Sequence, residues 1–355
     1  LLWRLESLKG LDRAELSAVM RHVGGHPRML EFLDGLLRHG AARLPDVKRR
    51  LRDAARAAGI DLKIAPADLS EAMRHTALLG ARTIFLDELA ALARTSGDEE
   101  ALRQLAVSAL PMTAADLAQA LAGAPAGQRQ VQLMTLCLER LVSLSLATPV
   151  PEGHWVHRWT AEALAQSASP QEQRERCRRA GEFRLRRGTG QGIEYADICE
   201  ATYNFVDAEE FDRACSLALQ IANYHIARQQ TIAAVALAGE VLQRLPDTAK
   251  DWGPLADVET QGSLRLGLTD RALVRTREMT SVFENRVRRE PGRADYQRDL
   301  SVSFERLGDL MSALGQGEQA REFFEKSLAI RKRLAEAEPG RADYQRDLSV
   351  SFERL

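Results

Sequence analysis

Apolar residues recur along this chain at helical spacing, in short stretches broken by charge. Asp12, followed three residues later by Glu15, reads as a capping box that opens an amphipathic helix through His22. Gly24-Gly25-His26-Pro27 interrupts the pattern. Pro27 then suits the first position of a helix carrying Met29, Leu30, Phe32, Leu33, Leu36 and Leu37. Further helical periodicity covers about 44–58, 67–79, 81–95 and 99–109. Thr113 is placed to cap a helix through Leu121, and a longer helix covers 128–144. Between Ser145 and His157 apolar residues flank a Pro-Glu-Gly turn, which predicts a hairpin. Three helices and then a two-stranded hairpin is the plan of a winged helix.

The back of the chain repeats itself. Residues 290–307 and 338–355 are the same eighteen letters, which sets a period of 48 residues. Such a period signals stacked units, none of which buries its apolar face alone. Leu300, Phe304, Leu307 and Met311 form one helical stripe; Gly315 and Gly317 break it; Ala320, Phe324 and Leu328 form a second; Pro339-Gly340 ends the unit. The unit resembles a tetratricopeptide repeat, with Phe304 at the large aromatic, Leu307-Gly308 at the Leu-Gly pair, and Ala320 and Phe324 at the Ala and Phe of the second helix. Met311, Ser327 and Lys332 depart from that pattern, and the extra length predicts two long helices. Upstream, Ala208–Leu219, Thr231–Arg244 and Asp251–Arg289 read as degenerate pieces of the same kind. In the last, Leu266-Gly267 and Phe283 keep the 17-residue spacing of Leu307 and Phe324, with Met279 in place of the small Ala. Residues 171–355 thus read as one helical solenoid.

Two short motifs add to the front half. Gly25-His26-Pro27 opens a helix, and Trp155-Val156-His157-Arg158-Trp159 follows the hairpin. The pairing resembles the regulatory half of the STAND class (signal transduction ATPases with numerous domains). There a G-x-P proline contacts the adenine of a bound nucleotide, and a histidine after the winged helix reaches the β-phosphate of ADP. The resemblance implies nucleotide contacts from Pro27 and His157, and departs from the class at Arg158, where the motif has Asp. It also implies an upstream nucleotide-binding domain as partner and ADP or ATP as cofactor of the longer protein. Read from the residues alone, Pro27 is a helix start and His157 a hydrogen-bonded core histidine.

The expected fold is therefore mainly α: a helical domain over 1–80, a winged helix with its small β-hairpin over 81–168, degenerate helical repeats over 169–290 and tetratricopeptide repeats over 291–355. Leu1 in place of an initiator Met, and an end in mid-pattern at Leu355, read as a piece of a longer protein. The 49 Lys+Arg balance 50 Asp+Glu, which excludes a protein that coats polyanions by bulk charge. No apolar run approaches the ~20 residues a membrane span needs, no secretory signal opens the chain, and the Arg- and Ala-rich usage suits a bacterial, cytoplasmic protein. Cys137, Cys177, Cys199 and Cys215 lie too far apart for a zinc or redox pair and read as buried or half-buried thiols. The histidines show no metal-ligand spacing. Without a G-x-x-x-x-G-K-[ST] loop this segment is no ATPase by itself and holds no cofactor alone. Seven arginines between Arg174 and Arg187 read either as a nucleic-acid patch or as a solvated helix face.

Three functions are then open. The first is the regulatory and sensor segment of a STAND-class signalling ATPase: its repeats bind a protein or peptide, and its winged helix couples that event to nucleotide state. In tetratricopeptide repeats the first helix of each unit lines the groove, which places Val302, Glu305, Asp309, Ser312, Val350 and Glu353 there, suited to a basic segment. The second is a repeat scaffold without nucleotide coupling. The third is a winged-helix DNA regulator, against which the nearly uncharged 128–144 helix argues.

Overall fold

The structure, a computed structural model, describes residues 5–17, 27–38, 45, 49, 53, 86, 87, 89–190 and 194–353. The helices expected over 44–58 and 67–79 fall outside these residues almost entirely, as do Gly24, Gly25 and His26. The described chain is mainly α and divides into two compact units, residues 1–204 and 205–355.

In the first unit, α1 (Glu6–Lys9) packs against α2 (Pro27–Arg38). Asp34 of α2 is fully buried and accepts the backbone N–H groups of Ser7 and Leu8 at 2.8 and 3.0 Å, donors that the start of α1 leaves without helical partners. Next come α3 (Glu99–Ala106), α4 (Ala114–Ala122) and α5 (Gln128–Ser143). Thr113 and Asp116 form the expected kind of cap on α4, each side chain bonding the other's backbone N–H. Strands β1 (Thr148–Val150) and β2 (Gly153–Trp155) pair antiparallel around the predicted turn, and Met112 adds a bridge to His154. The order is thus helix, bridge, helix, helix, hairpin, over a core that includes Leu102, Leu117, Leu138, Leu141 and Leu146.

Helices α6 (Arg158–Gln166) and α7 (Pro170–Gly190) follow, then α8 (Tyr195–Asp207). The sequence assigned α7 to the solenoid; its contacts place it in the front unit. Arg184 of α7 is buried, ion-paired with Asp197 at 2.8 Å and Glu200 at 2.9 Å, and donates to Ser108 Oγ and the Leu110 carbonyl. Arg176 and Arg179 both reach Glu100. The boundary drawn at 168/169 therefore moves to 204/205, because buried ion pairs invisible to periodicity tie α7 to α3 and the loop behind it. The same pairs answer most of the arginine cluster. Arg178 meets Glu175 and Glu182, and Arg187 meets Asp116 and Asp197.

The second unit is a succession of antiparallel helices: α9 (Phe211–Ala227), α10 (Thr231–Leu242), α11 (Trp252–Arg265), α12 (Thr269–Arg289), α13 (Ala294–Ala313), α14 (Gly317–Ala337) and α15 (Ala342–Glu353). The long helices expected from the period are present, 20 residues in α13 and 21 in α14. Gly308 sits within α13 because a Cβ there would come 2.5 Å from the Phe324 ring of α14. Four of the turns carry a single left-handed residue: Glu209, Gln229, Gly267 and Gly315, at φ 59°, 60°, 72° and 73°.

Those turns correct the sequence alignment. Gly267 and Gly315 are 48 residues apart, so Leu266-Gly267 corresponds to Leu314-Gly315 at a hairpin tip and not to Leu307-Gly308 in mid-helix. Helices α12 and α14 are offset by the same 48 residues at both ends. The small residue facing the crossing is then Ala272, buried like Ala320, and Met279 stands at the position of Ser327. The full period reaches one unit further back than the matching letters do.

Candidate functional site

One stripe of α13 runs through Asp295, Asp299, Val302, Arg306, Asp309 and Ser312 at intervals of three and four, and its counterpart on α15 holds Asp343, Asp347 and Val350. Val302 and Asp309 are half-buried; Ser312, Val350 and Glu353 are exposed. Glu305 is not on this stripe. It is 8% exposed and ion-paired with Arg331 of α14, so it joins two helices instead of facing a ligand. Helical spacing placed it correctly on α13 but left unseen the arginine that covers it.

Arginines also link successive units. Arg306 binds Asp257 of α11 through Nε at 2.6 Å and Nη2 at 3.0 Å, and Arg298 binds Asp347 of α15 at 2.6 Å. Burial draws the Arg306 pKa down, yet the Asp257 hydrogen bond and charge raise it overall, so the pair stays ionised. Asp299 differs: burial, with the Asp295 charge adding to it, pushes its carboxyl up to about 6. Sequence reasoning missed these residues, although the signal was present as an Arg-Asp dipeptide, 298–299 and 346–347, recurring once per period.

In the first unit Pro27 starts α2 and is exposed. His157 is exposed and forms the N-cap of α6, its Nδ1 accepting the Trp159 backbone N–H at 3.2 Å. It is therefore a cap and not a core histidine. No hydrogen bond or ring contact links Pro27 with His157 among the described residues. Arg158 pairs with Glu162 at 3.0 Å. On α5, Leu133 and Leu136 are 58% and 51% exposed where a groove-reading helix would present cations.

No cluster of three or more His, Cys, Asp or Glu able to hold a metal occurs among the described residues. Burial pushes the Cys137 and Cys215 thiols up to about 12, which makes them poor nucleophiles. Among the described residues, no helix is long and apolar enough to cross a membrane.

Residues 302–339 match the tetratricopeptide-repeat family model. The match falls on α13 and α14, and with the helix order around it residues 205–353 form a tetratricopeptide-like solenoid. No curated protein matches the chain. Among solved structures, a STAND protein with a tetratricopeptide repeat sensor from Pyrococcus horikoshii aligns at 12% identity and a TM-score of 0.35, over 99% of this chain. The chain spans 55% of that protein's length.

Proposed function

We propose that this chain is the sensor and regulatory segment of a STAND-class signalling ATPase, with the repeats receiving a protein or peptide and the front unit facing a nucleotide held by a neighbouring domain. The observation that carries the sensor half is the repeat match on stacked α-hairpins, an architecture that leaves one face of each first helix open to a ligand. The order helix, bridge, helix, helix, hairpin supports a winged helix over 99–155.

His157 suits a phosphate contact. Because Nδ1 accepts from Trp159, the neutral ring carries its proton on Nε2 and keeps that donor for an anion. It also stands at a helix N-terminus, where the backbone dipole favours negative charge. Pro27, exposed at the start of α2, offers an apolar surface for a base. Binding on the repeats then shifts the nucleotide state only by as much as the ligand prefers one state over the other.

The test is ADP binding by a protein that restores the upstream part, with and without His157→Ala. A loss of about tenfold or more supports the reading; equal affinity removes nucleotide coupling and leaves a scaffold.

A further inference from the structure

The two identical segments offer a comparison that the molecule makes within itself. On α15, Asp343 and Asp347 lie four residues apart on one face, and the Arg298 guanidinium of the preceding unit reaches both, at 3.6 Å and 2.6 Å. On α13 the same positions are Asp295 and Asp299, in the same local sequence, and Asp295 meets Arg293 as Asp343 meets Arg341, at 2.6 Å in each case. Two nearby cations differ: the cross-unit arginine, and Arg286 of α12, whose counterpart on α14 is Leu334. The counterpart of Arg298 one period earlier is Lys250, and α11 begins at Trp252, so this residue lies in a turn before the helix. No ion pair joins Lys250 to Asp299. Arg286 lies nearby but sits over the rings of Phe283 (5.2 Å) and Tyr296 (5.6 Å), and its buried Nη2 has no hydrogen-bond partner.

We propose that Asp295 and Asp299 form an open socket for the guanidinium of an arginine supplied by a partner protein, shaped like the socket that Asp343 and Asp347 close around Arg298. The proposal rests on the repeats receiving a protein segment and names the side chain they read. The reason for arginine is geometric. Two carboxylates one helical turn apart take a planar, forked cation on both oxygens, which a lysine ammonium does not match. Val302 stands next along the stripe and offers an apolar contact for the residue beside that arginine. Burial pushes the Asp299 carboxyl up to about 6, against the opposing charges of Arg286 and Arg298.

The test uses two fluorescein-labelled peptides of glycine, serine and alanine, one with a single central arginine and one with citrulline in its place. Fluorescence anisotropy against the whole chain at low salt reads their affinities. The arginine peptide binds about tenfold or more tightly than the citrulline peptide, and Asp299→Asn removes the difference. Arg298→Ala vacates the second socket and doubles the number of arginine-peptide sites. Binding of both peptides alike overturns the socket while leaving the groove reading intact. Binding of neither, or a preference that survives Asp299→Asn, also overturns it.

Discussion

Arg331 is the most informative residue to change in the repeats. Its guanidinium is 4% exposed and serves three helices: it pairs with Glu305 and bonds Ser301 Oγ at 3.2 Å on α13, and it donates to the Asp347 carbonyl at 3.0 Å and Ser351 Oγ at 2.9 Å on α15. Arg331→Met keeps most of the side-chain volume but leaves the Glu305 carboxylate buried without its cation. Breaking a buried pair from one side costs about 3–5 kcal/mol, whereas replacing both partners by apolar groups is often close to neutral. The preceding unit has changed only one of the two partners, since the position of Glu305 is there Asp257, which pairs with Arg306. One period earlier the position of Arg331 is Phe283, packed edge-on against Trp252 with ring centres 6.5 Å apart. Urea unfolding followed by circular dichroism reads the effect. Arg331→Met and Glu305→Leu each destabilise by about 3 kcal/mol, and the double variant returns to within about 1 kcal/mol of the parent. Single variants costing under about 1 kcal/mol, or a double variant equal to the sum of the singles, would refute the buried-pair reasoning.

Three further outcomes are expected. Gly308→Ala gains about 1 kcal/mol of helix propensity but forces its Cβ against the Phe324 ring, a contact costing about 1–3 kcal/mol, so the variant loses stability in the same assay and Phe324→Leu restores it. Gln229→Gly relieves a left-handed backbone at φ 60° and stabilises by about 1 kcal/mol, while Gly267→Ala, at φ 72°, does the reverse. Asp299, raised to about 6, keeps its proton in the folded chain between about pH 4 and 6, where the unfolded chain has released it, so stability falls as pH rises through that window. Asp299→Asn flattens this dependence and stabilises the protein near neutral pH by about 1 kcal/mol; identical pH profiles for the two proteins would contradict it.

The repeat was legible in the sequence because identical letters 48 residues apart leave little freedom, and Gly308 and Phe324 point to one crossing. One unit further back, α12 keeps the length and ends of α14 but few of its letters. There Leu266-Gly267 was matched to the wrong Leu-Gly pair, since a dipeptide does not distinguish a helix crossing from a hairpin tip. The hairpin and the α4 cap were also legible, as turn and cap chemistry is local. The place of α7 was not, because Arg184 reads as a surface cation until Asp197 and Glu200 are folded against it. Glu305 failed for the same reason: helical spacing gives the face a residue occupies, and the partner that buries it lies on another helix.

The central claim is that 48 residues form an interchangeable unit whose first helix presents a receptive face. Inserting a second copy of residues 290–337 after Ala337 tests it most directly. The account predicts a soluble protein with more helix by circular dichroism, a steeper urea dependence, a higher midpoint and a single cooperative transition of the repeats. A lower midpoint, or an insert that adds no helix, would contradict it.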